Sequence, residues 1–453
     1  MTPRRLRRPR LLPLDREIGR LAVPALGALV AEPLFLATDT ALVGHLGAEP
    51  LAGLGIASTV LATAIGLLVF LAYATTPTVA RRLGAGDLPG AVRAGIDGLW
   101  LAAGLGVVLA LVGVPAAPAL VAAFGPTPAV AEQGATYLAI SAVGIPAMLV
   151  VIAATGLFRG LQDTRTPLVV AVVGFAANPA LNAVLIYGLG WGIAGSALGT
   201  VVAQIGMAAA SVAIAVRHAR RLGVPVRPGL AGVAGTALAG GWLLLRTASL
   251  RVALVATTVV ATSAGTVPLA ATQVLLTLYF TAALVLDAFA IAGQALVGHG
   301  LGASDVDRVR AVLRRLLLWG LVTSVGVGLL LAGASPVLGS VFTSDAAIAG
   351  AIGAGALVIA ASLPIGAVVF VLDGILIGAG DGRYLAATGV LNLAVYLPLL
   401  GLAAQLAADE LGAVVGIQLA FCVGYLAARA VTLSLRARGT RWMRVGADRG
   451  DAS

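Results

Sequence analysis

The chain of 453 residues contains no lysine: all 29 of its basic residues are arginine. A P-loop needs a lysine on its phosphates, so an ATP-driven pump within this chain is excluded, and Schiff-base chemistry goes with it. Cysteine is reduced to Cys422 and histidine to His45, His218 and His299. So few and so scattered, they cannot build a disulfide framework, a zinc site or a haem site. Charge is scarce as well. Only 11% of residues are charged, against about 25% in a soluble protein. The 59 glycines and 21 prolines gather in no polar low-complexity stretch, so they do not read as linkers. Without a nucleophile–base spacing or a metal cluster, an enzyme is not expected, nor is a bound cofactor.

What is present is apolar: 60% of residues, with a mean hydropathy of +1.03. Stretches of about 20 apolar residues read as membrane helices. Twelve are expected, at 20–46, 51–79, 95–117, 131–157, 166–188, 192–216, 238–263, 268–298, 312–333, 346–378, 384–404 and 411–435. The first is too long, and followed by too many others, to be a signal peptide. Arginines then set the orientation. Arg4, Arg5, Arg7, Arg8, Arg10, Arg16 and Arg20 precede span 1, and the even-to-odd loops carry most of the rest. The opposite loops hold only acids, among them Glu49, Glu132, Asp345, Asp409 and Glu410. Such asymmetry places both termini in the cytoplasm. The net charge of +10 therefore faces an anionic inner leaflet rather than nucleic acid. The expected location is the inner (plasma) membrane. Arg246 and Arg251 remain, read as lying near the inner end of span 7.

A shift of 218 residues lays the chain on itself. Leu83-Gly84-Ala85-Gly86-Asp87 falls on Leu301-Gly302-Ala303-Ser304-Asp305, and Pro146, Gly156, Gly160 and Asp163 fall on Pro364, Gly374, Gly378 and Asp381. Each half holds six spans, so the halves share orientation and are related by an axis along the membrane normal, a plan of secondary transporters. The expected fold class is an all-α integral membrane protein of twelve helices in two six-helix lobes. The N-lobe occupies 1–218, a cytoplasmic linker 219–237, the C-lobe 238–436 and a cytoplasmic tail 437–453.

The halves differ in one polar set. Asp39, Tyr137, Asn178, Asn182 and Thr200 have Thr257, Gly355, Tyr396, Leu400 and Gln418 as counterparts. Asp39, Asn182, Tyr137 and Thr200 all lie about 8–12 Å from the outer ends of their spans at 1.5 Å per residue. A carboxylate at the centre of a membrane helix costs about 2.5–3.5 kcal/mol and is functional by default. The set reads as a site where Asp39 takes a proton from outside, or where its oxygens hold Na⁺. Glu32, seven residues earlier on nearly the same face, could meet a cationic substrate or pair with a neighbour. Pro24 and Pro33 can kink span 1. Asp287 and Asp373 read as lying at inward-side depths near Arg251, either as a salt-bridge cluster closing the cytoplasmic side or as a second site. Asp87, Asp163, Asp305 and Asp381 read as turn caps and ion pairs, and Trp191, Trp242 and Trp442 as interface anchors.

These residues carry a resemblance. Pro24, Glu32-Pro33-Leu34 and Asp39-Thr40-Ala41-Leu42-Val43-Gly44-His45-Leu46-Gly47 resemble the first-helix signature of multidrug and toxic compound extrusion transporters, in the branch of the DNA-damage-inducible protein F. Phe158-Arg159-Gly160-Leu161-Gln162-Asp163-Thr164-Arg165-Thr166-Pro167, Leu286-Asp287-Ala288-Phe289-Ala290 and Leu372-Asp373-Gly374 are similar to that branch too. The resemblance implies cation-coupled export of amphipathic or cationic small molecules by rocking of two lobes, with the coupling carboxylate at Asp39. Asn182 departs from it, since some relatives carry a second Asp there. One carboxylate instead of two makes a proton the simpler coupling ion, with Na⁺ as the other. A monomer is expected, with the bilayer as its surroundings. The other transport reading is a flippase for a lipid-linked precursor, which would need a basic cavity.

Overall fold

The computed structural model describes residues 13–447, and no strand occurs among them. Arg4, Arg5, Arg7, Arg8, Arg10 and Arg449 lie outside the described residues. Among the described residues twelve helical passes are long and apolar enough to cross a membrane. Span 1 is α1 (Pro13–Gly44), and span 2 divides at Val69 into α2 (Ala48–Leu68) and α3 (Phe70–Gly84). Then come α4 (Leu88–Ala122), α5 (Pro128–Gly160), α6 (Arg165–Ala183, continuing as a π turn over Val184–Gly188) and α7 (Gly192–Arg221). The second half runs through α8 (Leu230–Ala264), α9 (Thr266–Gly302), α10 (Val306–Phe342), α11 (Ala346–Gly378) and α12 (Gly382–Leu406). Span 12 is α13 (Glu410–Gln418) and α14 (Leu426–Arg438), joined by a π segment over Leu419–Tyr425.

The connection between the halves is shorter than 219–237, because α7 persists to Arg221 and α8 begins at Leu230. That earlier start moves Arg251. It lies about 31 Å along α8, well past the inner end of the span where hydropathy alone put it.

Duplication is visible in the backbone. Gly47 and Gly265, one offset apart, take φ of 125° and 128° at the start of α2 and α9, a conformation that favours glycine. The left-handed turn residues Gly86 and Ser304 form a second such pair, and Gln162 and Gly380 a third. Short acids sit at the starts of helices, as turn caps and ion-pair partners. Asp87 and Asp305 accept from Gly90 N and Arg308 N at 2.8 and 2.9 Å, satisfying first-turn donors. Asp163 binds Thr166 N and Asp381 pairs with Arg436 at 2.7 Å.

Within each lobe, helices close on small residues, as packing without a hydrophobic drive requires. Gly156 of α5 rests on Ala72, and its counterpart Gly374 rests on Ala290; Gly160 and Gly378 repeat the contact one turn on. The outer faces carry leucine and valine, such as Leu111, Leu329 and Leu330 at 70–76% exposure. A band of that kind suits lipid.

Between the lobes, contact concentrates at the arginine-rich end. Asp15 of α1 receives Arg315 at 2.6–2.9 Å and Trp319 at 3.0 Å, and Glu17 receives Arg308 at 2.6 Å. Gly84 lies on the carbonyl of His299, and Gly302 reciprocally on the carbonyl of Arg81. Arg81 also donates to the carbonyls of Ala379 and Arg444, tying α3 to the C-lobe and to the tail. In that tail Trp442 is wholly buried, its indole donating to Ala437 O. It is therefore not the interface anchor its position suggested: the chain folds back over the helix ends and encloses it. Trp191 and Trp242 do remain half-exposed. At the opposite end a small core of Val43, Leu54, Val121, Tyr137 and Ile193 belongs to the N-lobe alone, separate from the core that runs through both lobes.

Candidate transport site

Helix α1 continues through both prolines as one element. Pro24 has no N–H for the carbonyl of Arg20, and the Thr164 hydroxyl donates to that carbonyl instead, at 3.3 Å. This settles Pro24 near the arginine end, about 22 Å from Asp39 along the helix, and apart from the polar set.

Fifteen residues on, Asp39 is 3% exposed. Three donors converge on its carboxylate: Ser196 Oγ at 2.6 Å and Asn182 Nδ2 at 2.7 Å on Oδ1, and Tyr137 Oη at 3.2 Å on Oδ2. Helices α1, α5, α6 and α7 thus meet at one carboxylate. Asn182 Nδ2 also donates to Asn178 Oδ1, and Asn178 Nδ2 to Thr200 Oγ1, both at 3.1 Å. A continuous hydrogen-bonded line runs from Asp39 through two amides to a threonine. Four of the five residues of the sequence-derived set form it, and the fifth, Tyr137, joins it at Asp39.

The line ends on a cavity of about 330 Å³. Tyr137, Asn178 and Thr200 face it, whereas Asp39 and Asn182 stand behind them. Phe35 and Phe175 stack at 5.0 Å to form an aromatic wall, with Met148 and Met207 completing an apolar lining. Glu32 of α1 and Arg251 of α8 also line this cavity.

Arg251 corrects the sequence reading. It does not face Asp287 and Asp373; Asp373 is held by Arg246, whose Nε is 3.1 Å from it, and by Arg429 at 3.6 Å. Asp287 interacts electrostatically with Arg159 and Arg246, and Tyr73 shares that field. Tyr73 and Arg159 belong to the N-lobe, so these charges lie where the lobes meet. The acids of the second half and Asp39 form separate clusters.

At the C-lobe position equivalent to Asp39 the interior is filled. Thr257 and Tyr396 share a hydrogen bond of 2.6 Å, and Tyr396 packs against Tyr425 and Phe421 at 5.1 and 6.1 Å. The irregular π segment of span 12 supplies both of those rings. Aromatic volume thus occupies what is cavity and carboxylate network in the N-lobe.

Sequence reading missed Ser196, one turn before Thr200, and Gly199 between them. A Cβ at Gly199 would lie 2.0 Å from Asn182 Oδ1, so the glycine makes room for that amide. The signal was the i, i+4 pairing of polar residues, as in Asn178 and Asn182. Asn182 Oδ1 itself is buried with no partner. Among the described residues no group of three or more His, Cys, Asp or Glu could hold a metal ion.

Asn182→Ala removes one donor from Asp39 and one from Asn178. Interhelical hydrogen bonds in membrane proteins contribute about 0.6–1.7 kcal/mol, and a charged acceptor raises that. The variant is expected to lose about 1–2 kcal/mol, read as a lower unfolding midpoint in detergent micelles. An unchanged midpoint would mean the amide does not hold the carboxylate.

The MatE family model matches residues 24–184 and 244–400, one segment in each lobe. The chain belongs to the MatE family. It is similar to Protein DETOXIFICATION 44, chloroplastic, of Arabidopsis thaliana (32% identity, 82% of this chain and 74% of that protein). It is also similar to DNA damage-inducible protein F of Escherichia coli (30% identity, 66% of each). In fold it resembles the Vibrio cholerae MATE transporter VcmN in its bent form, at 20% identity, a TM-score of 0.85 and coverage of 94% and 97%. As a MatE protein this chain is a membrane transporter of the multidrug and toxic compound class, and not an enzyme. The two matched segments also follow the 218-residue duplication, each spanning the first five passes of its lobe.

Proposed function

We propose that this transporter exports amphipathic small molecules in exchange for protons, with Asp39 as the proton-binding group. The observation that carries this reading is the line of hydrogen bonds joining a buried carboxylate to the wall of the cavity. With the amides in the observed orientation, every neighbour of Asp39 donates. The inward amide N–H of Asn182 suits a carboxylate or its proton, whereas Na⁺ would need that amide to turn its oxygen inward beside the two hydroxyls. When Asp39 gains a proton it becomes a donor itself, and the partnerless Oδ1 of Asn182 is the acceptor within reach of an amide rotation. Asn182 then ceases to donate to Asp39, and Asn178 and Thr200 must re-pair in turn. Protonation behind the wall thereby changes the hydrogen bonds offered at the cavity surface, where the substrate lies.

The arginine-rich end is assigned to the cytoplasm of the plasma membrane by the distribution of charge. The lobes pack together there, so the conformation is closed on that side, and rocking of the lobes about this contact gives alternating access. The substrate meets an apolar, aromatic and methionine-lined cavity with Glu32 available to a cationic group. One arginine balanced by one glutamate does not make the basic lining that the phosphates of a lipid-linked precursor need. One proton moving down a 100 mV potential contributes about 2.3 kcal/mol. In proteoliposomes, ethidium transport is expected under an imposed pH gradient and absent under an imposed Na⁺ gradient alone. Transport driven by Na⁺ at uniform pH would overturn the proton assignment.

A further inference from the structure

Two ionisable side chains, Glu32 and Arg251, face the cavity, and among the described residues neither has an opposite charge paired with it. Arg246 and Arg429, also within the membrane, are both paired with Asp373. A charged arginine in a membrane helix costs about 2.5–3.5 kcal/mol, so an unpaired one is retained for a partner. The seat for it is built. A Cβ on Gly66 of α2 would lie 1.9 Å from Arg251 Nη2, so the guanidinium lies against bare backbone where any other residue would displace it. The planar fork is thus held by a C-lobe helix against an N-lobe helix, with the acid on α1 lining the same space.

The lining offers one basic and one acidic group. A ligand bearing only a cation satisfies Glu32 and leaves Arg251 desolvated and unpaired; one bearing only an anion does the reverse. A ligand with both groups satisfies each. We propose that the cavity selects zwitterionic amphiphiles, Arg251 taking a carboxylate or phosphate-like group, Glu32 the cationic group, and the Phe35–Phe175 wall the apolar body. This rests on the reading of the cavity as the substrate site. Because Arg251 comes from the C-lobe and Glu32 from the N-lobe, such a ligand also bridges the lobes. A monocation does not.

The test uses tetramethylrhodamine, whose free carboxylate makes it a zwitterion, and its methyl ester, a monocation of almost the same shape. Binding is measured by fluorescence anisotropy in detergent micelles at one pH. A charge-assisted hydrogen bond to a guanidinium gives the acid an expected preference of about tenfold over the ester in the wild-type protein. Arg251→Gln is expected to bring that ratio to about one while ester binding persists, which also shows that the variant is folded. Gly66→Ala, which displaces the guanidinium without removing it, should lower the ratio in the same direction. Glu32→Gln should weaken both dyes. An unchanged ratio in Arg251→Gln, or a wild-type protein that binds the ester as well as the acid, would overturn the zwitterion assignment and leave the cavity as the substrate site. If the wild-type protein bound neither dye, the cavity reading and this inference would both fall.

Discussion

Asp39→Asn is expected to abolish proton-driven dye transport while leaving the fold intact. Asparagine has the volume of aspartate and can still receive hydrogen bonds from Ser196 and Tyr137, which approach at 2.6 and 3.2 Å. It cannot gain or lose a proton. The apolar lining of the cavity of about 330 Å³ and its aromatic wall are built by residues outside the hydrogen-bonded line to Asp39. Dye binding is therefore expected to survive, and active accumulation to vanish, in proteoliposomes under a pH gradient. The alternative carboxylates, Asp287 and Asp373, sit among Arg159, Arg246 and Arg429 in another part of the molecule. Robust coupled transport in Asp39→Asn would transfer the coupling role to them.

The second large effect belongs to the crossing of α3 and α9. A Cβ at Gly302 would sit 1.9 Å from the carbonyl oxygen of Arg81, and one at Gly84 the same distance from that of His299. Both obstacles are backbone, which cannot rotate away as a side chain can. Gly302→Val is thus expected to prevent the lobes from closing at the arginine end. Overpacking of this kind costs about 1–3 kcal/mol, and under the proposed rocking of the lobes opening at that end is the cheaper relief. In a Cys422→Ser background, a cysteine at the fully buried position Leu301 should resist maleimide in the parent protein and react in the valine variant. Transport should be lost in parallel. Equal protection in the two proteins would show that this crossing does not set the closed state.

Much of the architecture was legible because membrane insertion writes it into composition. Twelve apolar stretches, a one-sided arginine distribution and a constant offset of 218 residues are one-dimensional features, and the helices follow them closely. The polar set was legible for a related reason. Asp39, Tyr137, Asn178, Asn182 and Thr200 stand out against hydrocarbon, and similar distances from the outer end place them at one level. Failure came where lateral position mattered. Arg251 and Arg246 differ by five residues, so they project from different sides of α8, one toward the N-lobe cavity and the other toward Asp373. Hydropathy does not report that azimuth. Nor does it show that Trp442 is buried under its own chain, since a tail that folds back leaves no periodic trace. Small residues such as Gly66 and Gly199 are silent in composition, because glycine is everywhere in this sequence. Their role emerges only from what a side chain there would strike.

The central claim is that Asp39 exchanges a proton with the solvent as substrate binds and leaves. The most direct measurement is the number of protons released per dye bound, read with a pH indicator in weakly buffered detergent solution, for the wild-type protein and Asp39→Asn. About one proton per dye is expected from the wild type and none from the variant, matching one titrating carboxylate. The same release from both proteins would contradict the assignment, because the proton would then come from another group.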